Sequence, residues 1–332
     1  MAQAKKSRIL WTAILVLAAV LSFHEISFSS EAVKYPERDI TCIVVFRPGG
    51  GTDIIGRAAA PYLRKYLPKP VNVVVQNIDA AGGRVGTFKI YDSKPDGYTI
   101  GLLEPTVFVL AEAMGEMGKR DMMHMTWMPR TSSQPYIMAV SPQSPIKNAK
   151  DLKGKRVRAS VSQATLACSV AVLRYLGADP QVIVYGGGAE SCLATMRGDT
   201  DVVIQVAATV LRQAEASGGK LIPVCVFTEK RLAVAPSLPT AKEVGADVPE
   251  DLMVLLSHDY VYAAPPNLPA DLNKVLNEAI EKTLRDPAFN EDIKKAKLTV
   301  DMLSSAEVRK RISNLANVMP QYMEAVRKAL PK

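Results

Sequence analysis

The chain has 332 residues, 48% hydrophobic and 22% charged, with a formal charge of +8. At roughly 100–200 residues per domain this length predicts two compact domains, and the composition excludes a disordered or fibrous chain. Four cysteines are too few for a disulfide-stapled small fold, 6% aromatics are sparse for stacking nucleic-acid bases, and His24, His124 and His258 lie too far apart to suggest a zinc site.

Lys5, Lys6 and Arg8 precede the apolar run Ile9 to Phe23, and Ser27-Phe28-Ser29-Ser30 follows. This is the layout of a secretory signal, expected over residues 1–29. As a helix the run would span about 22 Å, short of the ~30 Å hydrocarbon core, so export is expected rather than anchoring. An exported chain can form disulfides. Cys42 and Cys225 lie in strand-like runs, whereas Cys168 and Cys192 begin two helical patterns of one region and would pair only at a Cα separation of about 4.4–6.8 Å.

Beyond the signal one unit recurs: a β-branched run, a small-residue loop, then a helical pattern. Ile40 to Phe46 leads through Arg47-Pro48-Gly49-Gly50-Gly51-Thr52-Asp53 into a helix from Ile54 to Tyr66. Val71 to Val75 leads through Ala80-Ala81-Gly82-Gly83 into a helix over Val85 to Asp92, and the turn Pro95-Asp96-Gly97 feeds the run Tyr98 to Leu103. Arg156 to Ser160 precedes Ser162-Gln163-Ala164-Thr165 and a helix to Leu176. Val182 to Tyr185 precedes Gly186-Gly187-Gly188 and a helix to Met196, and Asp201 to Gln205 is the next strand. Apolar runs alternating with helices predict an α/β fold with parallel strands covered on both faces. The C-terminal part is helical, over Asp271 to Leu284 and from a capping box at Ser304 and Glu307 towards Ala329. Methionines 114, 117, 122, 123, 125 and 128 are expected to fill core. If Tyr136 to Val140 and Asp259 to Ala263 are crossing strands, residues 35–141 plus 259–332 form one domain and 142–258 the other.

In such a sheet, ligands bind beyond the carboxyl ends of the strands, where all these loops lie. Their glycines let backbone amides approach a ligand, and the following helix N-termini favour an anion. Gly49 to Gly51 and Gly82-Gly83 would face Ser160, Ser162, Gln163, Thr165 and Gly186 across a closing cleft, with Gln205 at the end of a neighbouring strand. Arg47 could clamp a carboxylate; Asp53 reads better as a helix cap or an i,i+4 partner of Arg57. No G-x-S-x-G, H-E-x-x-H or P-loop motif is present and no cofactor site is expected, so an enzyme is not expected. His124 and His258 read as surface or satisfied histidines.

These residues resemble a family: the solute-binding proteins of tripartite tricarboxylate transporters, often called Bug proteins. Tyr35-Pro36-Glu37-Arg38-Asp39-Ile40 is similar to its opening Y-P-x-[KR]-P-I, and Phe46 to Asp53 with Arg57 to F-x-P-G-G-x-x-D-x-x-x-R. Asn77, Ala81-Gly82-Gly83 and Gly86 resemble N-x-x-G-A-G-G-x-x-G. Pro95 to Thr99 matches P-D-G-Y-T; Leu238-Pro239-Thr240, Glu243 and Gly245 match L-P-T-x-x-E-x-G, and Asp286-Pro287 a further D-P. The resemblance implies a two-domain periplasmic binding protein of type II, with two hinge strands and a ligand cleft between lobes. It binds a di- or tricarboxylate or an aromatic carboxylate and delivers it, as a monomer, to a large and a small membrane permease subunit. Carried over, the ligand-binding positions are Pro48 to Asp53, Ala81 to Gly83 and the stretch Ser160 to Thr165. The chain departs from the pattern at Arg47, usually small and neutral, at Ala80 and Arg84, and at Ser257-His258-Asp259-Tyr260, where a tryptophan is usual. A receptor signalling to a membrane kinase and an exported α/β enzyme are the alternative readings.

Overall fold

The computed structural model describes residues 34–330 apart from 297, and the leader expected over 1–29 lies outside the described residues. Three β-branched segments, β1 (Ile40–Val44), β2 (Val73–Asn77) and β3 (Thr99–Leu103), pair in parallel in the order β2-β1-β3. A second parallel group comprises β5 (Arg156–Val161), β6 (Asp179–Val184) and β7 (Val202–Val206). Between the groups run β4 (Thr126–Val140) and β9 (Ser257–Ala264), antiparallel to each other, and β8 (Ile222–Val226) adds antiparallel to β4.

The strand runs read from the sequence pair in parallel as expected, and the antiparallel crossing strands make the sheet as a whole mixed. β4 is 15 residues long and is shared. Its first part pairs with β9, while Tyr136–Val140 lies between β7 and β8. The strand keeps its hydrogen bonds as it passes from one group to the other, which makes β4 and β9 the crossing strands of a two-lobed α/β fold.

Helices cover the first lobe by burying one face. In α1 (Gly51–Tyr66), Ile55, Ala59 and Leu63 share a stripe four residues apart and are buried with Leu276 and Ile280 of α8 (Ala270–Arg285). Each of the larger side chains, Ile55, Leu63, Leu276 and Ile280, contributes about 1.5–3 kcal/mol on burial. Asp286 caps α9 (Pro287–Lys295) through the Ala288 amide and receives Lys65 and Tyr66 of α1 at 2.8 and 2.7 Å, joining three helices at one carboxylate. Along the chain between α1 and α8 come α2 (Arg84–Tyr91) and α3 (Pro105–Ala113). α3 is absent from the sequence reading because it is apolar on every side and carries no amphipathic period. Glu104 caps it, accepting from the Thr106 and Val107 amides; burial raises the Glu104 carboxyl to about 8.

The second lobe carries α4 (Leu166–Tyr175), α5 (Gly188–Arg197), α6 (Ala207–Ala216) and the short α7 (Glu250–Met253). The last helix, α10 (Ser305–Ala329), begins at the expected Ser304–Glu307 capping box and packs on both α3 and α4. Its buried Val308, Ile312, Leu315 and Met319 belong to a core that runs through both lobes. Met117, Met122, Met125 and Met128 are buried, as expected of core filling, whereas Met123 is exposed. All four cysteines are buried free thiols, and Cys168 and Cys192 sit in separate clusters, so they do not pair.

Candidate functional site

The loop after β1 is built from its own side chains. Gly50 caps α1 without a side-chain bond, which leaves the first amides of the helix facing outward. Asp53 is buried and turns back, accepting from the Gly49 amide at 2.9 Å, from Asn77 Nδ2 at 2.9 Å and from Arg57 at 2.9 Å. Asn77 Nδ2 also donates to the Phe46 carbonyl at 3.0 Å. Burial alone would raise the Asp53 carboxyl, but the Gly49 amide, Arg57 and Asn77 outweigh it and hold the group below its ordinary range. Asp53 thus shapes the loop and does not face its opening.

The loop after β2 adds a left-handed stretch: Ala81, Gly82 and Gly83 have φ of 52°, 66° and 93°. The Gly83 amide donates to the Asp79 carbonyl at 3.2 Å, and the Ala81 and Gly82 positions of this turn border the cavity. Glycine is required at 83, since a Cβ would sit 2.6 Å from the Val45 carbonyl oxygen.

The second lobe supplies the facing wall. Gln205, at the end of β7, donates through Nε2 to Ser162 Oγ and accepts from the Val206 amide through Oε1. The N-terminus of α5 opens at Gly187, again without a side-chain cap, and Glu190 in its first turn accepts from the Gly186 amide at 2.9 Å. Gly82 abuts Gln163 across the gap; a Cβ there would lie 2.6 Å from Cγ. Arg47 spans it, with Nη1 2.8 Å from Glu190 Oε1 and Nε 3.3 Å from Asp79 Oδ2.

Between these walls lies a cavity of about 730 Å³. Of the sixteen positions anticipated, Arg47, Pro48, Gly49, Gly50, Gly51 and Thr52 line its first-lobe side together with Ala81 and Gly82, and Ser162, Gln163, Gly186 and Gln205 line its second-lobe side. The other four stand behind the lining. Asp53 and Gly83 support their loops as described; Ser160 is buried with its hydroxyl 2.8 Å from that of Thr195, and Thr165 closes a capping box with Ser162. Arg47, expected as a carboxylate clamp, is an ion-pair partner of two carboxylates of the protein itself.

Sequence reasoning missed Phe46, Asp79, Tyr185, Glu190, Arg212, His258 and Tyr260, which also line the cavity. His258 is neither a surface nor a satisfied histidine. It is 6% exposed, its Nδ1 has no hydrogen-bond partner among the described residues, and burial lowers it to about 4. Its ring lies 5.9 Å from Phe46 and 4.8 Å from Tyr260, centroid to centroid. The alternation along β9 was the available signal: residues 258 and 260 share one face of the strand. His124 is exposed and pairs with Asp121.

Two lobes joined by crossing strands, with uncapped helix ends and glycine turns around a cavity between them, define a two-lobed solute-binding protein. The chain belongs to the tripartite tricarboxylate transporter family of receptors, whose model matches residues 55–326. It is similar to Protein BugT of Bordetella pertussis, 28% identical over 293 residues that cover 83% of this chain and 86% of that one. The fold is shared with MatC of Rhodopseudomonas palustris solved with malate (19% identity, TM-score 0.66, covering 86% of this chain and 100% of that one). It is shared also with R. palustris Rpa4515 solved with adipate (18% identity, TM-score 0.71, covering 89% and 98%).

Proposed function

We propose that this receptor captures a small organic carboxylate in the cavity between its lobes and delivers it to a membrane permease of one large and one small subunit. The carrying observation is the convergence on one cavity of two uncapped helix N-termini, at Gly51 and Gly188, and the left-handed turn at Ala81–Gly83. Backbone amides and helix dipoles aimed at one point favour a negative group without requiring a bound cation. The malate and adipate held by structural neighbours support a carboxylate as that group. The site residues of this reading are the twelve anticipated positions that line the cavity, with Asp53, Gly83, Ser160 and Thr165 holding them in place. The lobes comprise residues 35–141 plus 259–332 and 142–258, with β4 and β9 as the hinge; the protein works in the periplasm as a monomer, after removal of residues 1–29.

A thermal-shift screen of organic acids tests the reading. An acid at 100 times its Kd adds about 2.7 kcal/mol of stability and raises the melting temperature accordingly. A broad panel of carboxylates that leaves the melting temperature unmoved would refute it. Deleting the gene then separates delivery from signalling: uptake of the best acid is lost if the protein feeds a permease, and only gene induction is lost if it serves a kinase.

A further inference from the structure

The charges around the cavity restrict the acid further, on the reading that a carboxylate binds there. Four ionised side chains line it, Arg47 and Arg212 against Asp79 and Glu190, so the lining is formally neutral. Arg47 is committed: Nε faces Asp79, Nη1 faces Glu190, and a Cβ at Gly186 would lie 2.6 Å from Nη2. Arg212, on α6, is the other cation, and its charge reaches the Tyr260 hydroxyl. His258 is uncharged at neutral pH. A second carboxylate in this space would therefore meet Asp79 and Glu190 without a second uncommitted cation, and like charges in a partly desolvated cleft repel.

Apolar side chains share the rest of the wall with Thr52, Ser162, Gln163, Gln205 and Thr209. Phe46, His258 and Tyr260 form a continuous aromatic face, His258 at 49° to Phe46 and 70° to Tyr260. Pro48, Val184 and Val206 lie on the same cavity. About 730 Å³ falls in the range of roughly 300–1,000 Å³ that accommodates drug-sized ligands, ample for a ring. Phe46 is the partly exposed member of this face, while His258 and Tyr260 are 6% and 3% exposed.

We propose that the ligand carries one carboxylate on an apolar, ring-sized body, its anionic end at the Gly51 and Gly188 helix ends and its ring against Phe46, His258 and Tyr260. Such an acid matches both a balanced set of charges and an aromatic wall, because ring faces pair well edge-on or offset.

The test is calorimetric titration of the purified protein with benzoate and phenylacetate against malate, adipate and citrate at pH 7.5. At least tenfold tighter binding of an aromatic monoacid than of every di- and triacid supports the proposal. A diacid or triacid that binds more tightly than both monoacids overturns it and leaves the carboxylate-receptor reading standing. Failure of every acid in the panel to bind overturns both. Glu190→Gln supplies a second readout on an exposed residue. Releasing one carboxylate from Arg47 should move the malate-to-benzoate affinity ratio about tenfold towards malate, and the ratio cancels any cost to lobe closure. An unchanged ratio would show that charge balance does not set the ligand class and would overturn the proposal.

Discussion

On the first-lobe side of the cavity, the Arg47–Asp53 loop is held from behind by Asp53 and Asn77, and Gly83 is pinned under the Val45 carbonyl. On the second-lobe side, the Gly186–Gly188 turn is held from the front by Glu190 and lies against the far ends of flexible side chains, those of Arg47 and Gln205. The first wall is held by contacts within its own lobe, whereas the second takes its shape partly from Arg47, which reaches across the cleft. In a receptor that closes on its solute, one preorganised wall lowers the ordering cost of binding, and an adaptable wall lets closure report on what has been bound.

Breaking the fixed wall should cost most. Asp53→Ala removes a buried carboxylate with three donors, and each hydrogen bond to a charged group is worth about 1.5–3 kcal/mol, reduced here because Arg57 is half exposed. A loss of about 4 kcal/mol in urea unfolding is expected, together with more than tenfold weaker binding of the best acid. Normal stability with weakened binding would mean that Asp53 faces the ligand after all. Gly83→Ala comes next. The left-handed backbone costs an alanine about 1–2 kcal/mol, and the contact with a backbone oxygen adds overpacking of about 1–3 kcal/mol. The matching change on the other wall, Gly186→Ala, meets only side-chain ends, so its folding stability should stay within about 0.5 kcal/mol of wild type while ligand affinity falls a few-fold.

His258 sharpens the comparison by pH, because its ring belongs to the crossing strand between the walls. Its folded value of about 4 lies below the unfolded 6.5, so the unfolded chain takes up the proton first as pH falls. The stability tied to the neutral ring is therefore present above pH 6.5 and is lost between pH 6.5 and 4, by about 3 kcal/mol. Urea midpoints at pH 7 and pH 4.5 measure it, and His258→Phe should flatten that difference.

The motifs legible in the sequence divide in the structure into two kinds. Some make the cavity, such as Pro48 to Thr52 and Ala81-Gly82. Others make scaffold: the Tyr35 hydroxyl donates to the Gly97 carbonyl at 2.6 Å, so the chain opening and the Pro95–Thr99 turn are halves of one contact. Thr240 and Glu243 likewise close a local cap. Spacing reveals that glycines and acids recur, but not which of them face inward, because Asp53 and Thr52 are neighbours with opposite duties. β4 was legible only over its last residues, since Pro129 and Pro135 interrupt the pattern expected of an interior strand. Cavity walls assembled from distant segments, such as Arg212 with His258, leave no local periodicity to read.

The smallest effect lies at the mouth, where Arg47 and Glu190 meet 2.8 Å apart with both side chains about half exposed. Solvent-exposed pairs of this kind are worth about 0.2–1 kcal/mol and weaken with salt. The pair joins residues on opposite walls, so its energy should appear in ligand affinity rather than in unfolding. A double-mutant cycle of Arg47→Gln and Glu190→Gln, read by titration of the best acid, should show each single change weakening binding several-fold at most and the double change no worse than either. The coupling should shrink in high salt. Additive losses would mean that the two side chains act on the ligand separately, which would leave the second wall as self-contained as the first.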